Sequence, residues 1–181
     1  MPGQYFDVYG MIEVDEPPRP ETVRSDFFRL VGESIKEWAK VEEQLFELVL
    51  FAMQCPRKQA AIVFYRTQTI GRRFELADQL LRACLSAEDI SRWKCMTKNI
   101  DPLKAVRNLL AHAPMRHHHK LSVGAQRVAA ASSWIEVAIS ADEELVRAKK
   151  LTVRDTDLPG HLEEVRRLAA DLQSFMGSLR K

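Results

Sequence analysis

The stretch Glu21–Gln54, ETVRSDFFRLVGESIKEWAKVEEQLFELVLFAMQ, decides the fold. Phe28, Val31, Ile35, Trp38, Leu45, Val49 and Ala52 recur at spacings of three and four. That period puts one apolar stripe along a long helix. Glu42 stands where the row asks for an apolar residue. Two readings fit it. The carboxylate can lie at the edge of the stripe and reach solvent along its stem. It can also aim inward at a cation on another helix, and Arg107 is then the candidate partner. Pro56 ends the helix, because proline lacks the amide hydrogen that a further turn requires.

On the N-terminal side, residues 1–20 are punctuated by Pro2, Gly3, Gly10, Pro17, Pro18 and Pro20. This composition predicts an extended arm, with Tyr5, Phe6, Tyr9 and Met11 available to dock it on the body. Residues 21–181 are read as a single helical domain. The second helix is expected over about Arg57–Leu85. Its stripe is Ile70, Phe74, Ala77, Leu81 and Cys84 or Leu85, and Arg66, Arg72 and Arg73 decorate its middle. Gly71, in the interior of that prediction, suggests a close helix approach or a slight kink. The three arginines gain interest only if they lie beside Arg107.

Ser86-Ala87-Glu88-Asp89 is a capping signal for a third element. Ile90, Trp93, Met96 or Thr97, Ile100, Leu103, Val106 and Leu110 continue it at helical spacing. Asp101-Pro102 predicts a kink or break there, with Asp as cap and Pro in the first turn. Beyond Pro114, Arg116-His117-His118-His119-Lys120 is expected as a basic loop. From about Leu121 to Val153 the period shifts toward two, as in Ile135, Val137 and Ile139, and again in Leu151 and Val153. This predicts a small antiparallel hairpin or meander. Ala141–Lys149 can alternatively form a helical turn. A last helix begins near Asp157 and Pro159, with Leu162, Val165, Leu168 or Ala169, Leu172, Phe175 or Met176 and Leu179 as its stripe. The expected architecture is all-α: a four- to five-helix bundle with a small β insertion before the C-terminal helix.

The chain has 181 residues, 46% hydrophobic and 29% charged, with a formal net charge of +2. That length suits one domain with a substantial core. The charge is too small to argue for nucleic acid, so any such case must rest on local clustering. Cys55, Cys84 and Cys95 show no CxxC spacing and are expected as reduced thiols, mostly buried at helix seams. No apolar run approaches a membrane span, and the start lacks a signal-peptide pattern. A cytoplasmic protein, not associated with membranes, is expected.

One hexapeptide is not explained as core or solvated face: Arg107-Asn108-Leu109-Leu110-Ala111-His112, closed by Ala113-Pro114. It places a permanent cation, an amide and an imidazole in two turns of an apolar helix. Asn108 and His112, four apart, share a face. Arg107 and His112 are about 140° apart and roughly 7.5 Å along the axis. A single helix does not clamp them together; a second copy across a two-fold axis brings two sets to one cleft. A histidine can take or give a proton near neutrality, and an arginine can hold a phosphate. These are parts needed for metal-free RNA cleavage.

Arg107, Asn108 and His112, placed near the end of a bundle helix, resemble the signature of the HEPN superfamily, the nucleotide-binding domain of higher eukaryotes and prokaryotes. That signature is an Arg, commonly followed by a polar residue such as Asn, with a His four to six positions after the Arg. The resemblance implies a helical bundle, usually dimeric, with the motif lining a cleft at the dimer interface. Many members are metal-independent ribonucleases, including toxins paired with antitoxin proteins; others keep the fold without activity. It therefore implies Arg107, Asn108 and His112 as the catalytic set and RNA or a nucleotide as ligand. A homodimer and a cognate antitoxin are the implied protein partners, and no cofactor is expected. Pro102, the proline-rich arm and the β insertion depart from the family pattern. Arg116, His117, His118, His119 and Lys120 are candidates for contact with RNA phosphates. Adjacent histidines cannot all face one point, so no metal site is expected. Trp38 and Trp93 are expected as core anchors.

Overall fold

The heptad-like apolar spacing of the first stretch is realised as a single helix, α1, Pro20–Met53. The computed structural model describes the backbone of residues 6–7, 10–11, 20–112, 115–124, 127–138 and 152–180, and the side chains of 24–112 and 153–180. After α1 come α2 (Arg57–Arg66), α3 (Ile70–Cys84), α4 (Ala87–Thr97) and α5 (Ile100–His112). Strands β3 (Met115–Gly124), β4 (Arg127–Ala138) and β5 (Thr152–Arg154) follow, then α6 (Leu158–Leu179). Ahead of α1, β1 (Phe6–Asp7) and β2 (Gly10–Met11) pair antiparallel. The rest of the arm, including Tyr5, Tyr9 and its expected docking, lies outside the described residues.

The all-α expectation holds, with six helices among the described residues in place of four or five. The increase comes from two breaks. Residues 57–85 divide at Thr67–Thr69, where the Thr69 hydroxyl caps α3 by accepting from the Arg72 amide at 3.3 Å. The third element breaks at Lys98–Asn99, slightly before the predicted Asp101. Asp101 then sits in the first turn of α5 and pairs with Lys104 at 2.6 Å. Ser86 does cap α4, accepting from the Asp89 amide at 3.2 Å. Gly71 falls in the first turn of α3 instead of a helix interior, and a side chain there would meet only ordinary contacts. The expected kink or tight approach is not needed.

α1 is the spine. Its seam is formed by Phe27, Ser34, Trp38, Val41, Leu45, Leu48 and Val49, all buried. In its first half this seam is one residue off the predicted row. Phe28 is 49% exposed, with the Arg24 guanidinium 5.7 Å from its ring, and Ile35 is exposed as well. The steady seven-residue repeat of Phe27, Ser34, Val41 and Leu48 determines the buried side, although it includes a serine. α6 lies along this seam through Leu162, Val165, Leu168, Leu172 and Phe175. Arg166 of α6 pairs with Glu33 at 3.1 Å and Arg180 with Glu47 at 3.0 Å, so α1 and α6 run parallel.

α3 packs on α1 through the predicted Ile70, Phe74, Ala77 and Leu81, all buried. Trp38 and Trp93 are both core residues, as expected, and the Trp93 indole donates to Asp78 at 3.0 Å. That bond and the Arg82 guanidinium hold the Asp78 carboxyl below the usual range, with Arg82 the larger influence. The cysteines are not buried: Cys84 and Cys95 are exposed and Cys55 is half-buried. The inward face of α3 is taken by Ile70, Phe74, Ala77 and Leu81 and that of α4 by Trp93, which leaves Cys84 and Cys95 on the outer faces. Partial desolvation raises the Cys84 thiol above its usual range.

The predicted meander is present as the antiparallel order β3-β4-β5. It begins earlier than expected, at Met115, so residues 116–120 form a strand and not a loop. Arg116 pairs with Glu136, His117 with Ile135, His118 with Trp134, His119 with Ser133 and Lys120 with Ser132. The backbone hydrogen bonds of a ladder organise these polar residues despite their weak strand propensity. Ile139, Ala141–Lys149 and Leu151 lie outside the described residues. No helix among those described is long and apolar enough to cross a membrane.

Candidate functional site at the end of α5

The apolar residues of α5 fix which way its polar residues point. Leu103 is buried in the main core, and Leu109 in a second cluster with Phe27, Val153 and Leu158. Val106 and Leu110 pack against that second cluster. With this side held inward, Asn108, Ala111 and His112 face solvent. Asn108 and His112 thus share the outer face, as their spacing requires.

Arg107 takes a different path, along the flank of the helix. Its side chain is 27% exposed, and the guanidinium approaches Glu42 of α1 at 3.7 Å. It also donates to the Asn108 side-chain oxygen at 3.3 Å, while its buried Nε has no partner among the described residues. The inward reading of Glu42 is therefore the one observed, but Arg107 is not its main partner. Arg73 of α3 donates directly to the same carboxylate and, through its Nε, to the Thr67 carbonyl at 3.1 Å. The Arg73 and Glu42 side chains are 15% and 23% exposed, so this pairing is screened less than a surface ion pair. One carboxylate thus serves two guanidinium groups from two helices, which leaves an excess positive charge at this point of the surface.

The Arg73 guanidinium also lies over the rings of Phe64 and Tyr65, 5.1 and 5.6 Å from their centroids. Of the arginines around the α2–α3 junction, Arg73 joins the Arg107 cluster. Arg72 pairs with Glu75 at 2.9 Å, and Arg66 is exposed. Sequence reasoning named Arg73 only as one of three surface cations. Its position just before Phe74 of the buried stripe marked it as a flanking residue able to reach α1.

Within one chain, then, Arg107 meets Glu42 and Asn108, whereas His112 stands apart on the outer face. The side chains of Arg116, His117, His118, His119 and Lys120 lie outside those described; their backbone leaves the end of α5 as strand β3. Among the described residues no group of three or more His, Cys, Asp or Glu is placed to hold a metal. Two clefts lie elsewhere. One is lined by Cys95, Asn99, Glu164, Arg167 and Asp171, between the α4–α5 junction and α6. The other is lined by Glu37, Lys40, Gln44, Arg166 and Gln173, between α1 and α6. No family model, curated protein or solved structure matches this chain.

Proposed function

We propose that this bundle is a HEPN-like, metal-independent ribonuclease whose site is completed by a second copy of the chain. The observation that carries the reading is the arrangement on α5: an imidazole and an amide on the outer face, beside a flanking guanidinium fixed from below by Glu42. In the proposed reaction His112 takes the proton of an RNA 2′-hydroxyl. The 2′-oxygen forms a bond to the adjacent phosphorus, and the bond from phosphorus to the 5′-oxygen breaks. The leaving oxygen takes a proton from the protonated His112 of the second copy, and the product carries a 2′,3′-cyclic phosphate. Arg107 holds the phosphate and opposes the charge that develops on it, and Asn108 orients Arg107 and the substrate. The second copy supplies what one chain lacks, because Arg107 and His112 diverge around the helix. The basic strand 116–120 extends the phosphate contacts. A cytoplasmic setting and a neutralising antitoxin partner belong to the same reading.

One observation favours a second reading, a dimeric binding module without catalysis. Arg107 is already engaged by Glu42, as a purely architectural arginine would be. Incubating the purified protein with mixed RNA and a metal chelator separates the two. Cleavage to cyclic-phosphate ends, abolished in both His112→Ala and Arg107→Ala, supports the nuclease. RNA that is bound but left intact by folded protein at high concentration supports the module. RNA neither bound nor cut ends both RNA readings.

A further inference from the structure

Tyr65 stands in solvent, 59% exposed, on a support that is itself buried. The buried Phe64 ring meets it edge-on at 5.2 Å, and the buried Phe46 ring of α1 lies 5.6 Å away at a tilt of 31°. Arg73 packs against the tyrosine and then joins Glu42, which leads to Arg107. On the other side Arg57 lies 4.9 Å from the Phe46 centroid and pairs with Glu47. Four helices therefore contribute one chain of contacts, Arg57, Phe46 with Tyr65, Arg73, Glu42 and Arg107, in which Arg57 and Tyr65 stand open to solvent, Phe46 is buried beneath them, and Arg73, Glu42 and Arg107 are partly exposed. Arg66, the neighbour of Tyr65, is exposed and adds a further cation.

We infer that this surface is a track for single-stranded RNA, in which Tyr65 is the platform for a base next to the phosphate held by Arg107. The inference rests on the reading of Arg107 as a phosphate-holding residue and adds to it a base-binding position. A surface that sets cations beside an exposed ring suits a single strand: the cations follow the backbone and the ring accepts any base by its π-face. A duplex keeps its bases stacked on each other and cannot use such a ring. Because Phe46 and Phe64 already hold Tyr65, stacking on it immobilises little further side-chain freedom. A purely apolar partner fits less well, since the ring is bordered by Arg66 and Arg73. Ile62 and Val63, also exposed on α2, make a second copy of the chain the alternative occupant.

The test uses the full chain carrying His112→Ala, so that RNA is not consumed, and measures fluorescence anisotropy with two probes. One is a labelled single-stranded RNA of mixed sequence, the other a ribose-phosphate oligomer of equal length without bases. Tyr65→Ala is expected to weaken RNA binding about tenfold or more while leaving the abasic probe unaffected. Tyr65→Trp is expected to retain or tighten RNA binding. Circular dichroism checks that each variant is folded. RNA affinity unchanged by Tyr65→Ala overturns the inference; if Arg107→Ala still abolishes binding, the phosphate reading survives without it. A parent protein that binds neither probe overturns both. A Tyr65→Ala protein that binds RNA normally but loses self-association assigns the face to a second copy and overturns the track.

Discussion

α1 shows two sides that differ in almost every physical respect. Toward α6 it presents Trp38, Val41, Leu45 and Val49, fully enclosed against Val165, Leu172 and Phe175. Toward α3 and α5 it presents Glu42, one residue after Val41, holding two arginines at the edge of solvent. The first side is closed by dispersion and the exclusion of water, which are non-directional and tolerate shape-conserving change. The second depends on charge placed with direction, and its groups can still reach a ligand. A helix turn of about 100° per residue is enough to separate the two. The lesson is that stability and the candidate chemistry draw on neighbouring residues of one helix without sharing atoms.

Truncation of the closed side should have the largest effect. Phe175 is fully buried and its ring lies 6.3 Å from that of Trp93. Phe175→Ala should cost about 3–5 kcal/mol in urea unfolding, from lost transfer energy and the cavity left behind. A loss under 1 kcal/mol would mean that the α1–α6 side is not the principal core.

Acid should sharpen the same contrast. His161 in the first turns of α6 is 7% exposed, its Nε2 has no partner among the described residues, and burial pushes it down to about 4. Above pH 6.5 the histidine is neutral in both folded and unfolded chains and its contribution is constant. As pH falls from 6.5 toward 4, only the unfolded chain takes the proton, so stability declines, by up to about 3 kcal/mol. Below about 4 both states are protonated and the loss levels off. His161→Leu should flatten the stability profile across that window relative to the parent; parallel profiles would show that His161 is not buried as a neutral group.

A smaller effect is expected on the charged side. Glu42→Gln leaves Arg73 and Arg107 facing each other without a counter-ion and should lower stability by about 1–2 kcal/mol. The penalty should shrink in high salt, because the guanidinium groups are partly open to solvent. Insensitivity to salt would place the pair deeper than its exposure suggests.

What could be read from the sequence follows the same division. The stripes of α3 and α6 were legible: where adjacent apolar residues competed in α6, as at Leu168 and Ala169 or Phe175 and Met176, both proved buried, so either choice gave the same face. The first half of α1 was not, because Phe27 and Phe28 are chemically equal and Ser34 disguised the true repeat. The Thr67–Thr69 break carries neither Gly nor Pro; a threonine cap alone divides α2 from α3. Glu42 was legible as a misplaced charge, and its link to Arg107 followed. The prior claim of Arg73 on that carboxylate was not, because it depends on the angle at which α3 meets α1. Tyr65 was hidden for a similar reason: only packing decides which of two adjacent aromatic residues, Phe64 or Tyr65, stays outside.

The parallel pairing of α1 with α6 has a consequence for how the molecule is made. The ion pairs Glu33–Arg166 and Glu47–Arg180 each join residues 133 positions apart. During synthesis the long apolar side of α1 emerges early, yet its main cover arrives only after the chain has passed Leu158. Until then Trp38, Leu45 and Val49 lack their permanent neighbours and are open to wrong ones. Folding should consequently be slower than expected for a bundle of sequential hairpins, because its decisive contacts are the most distant along the chain.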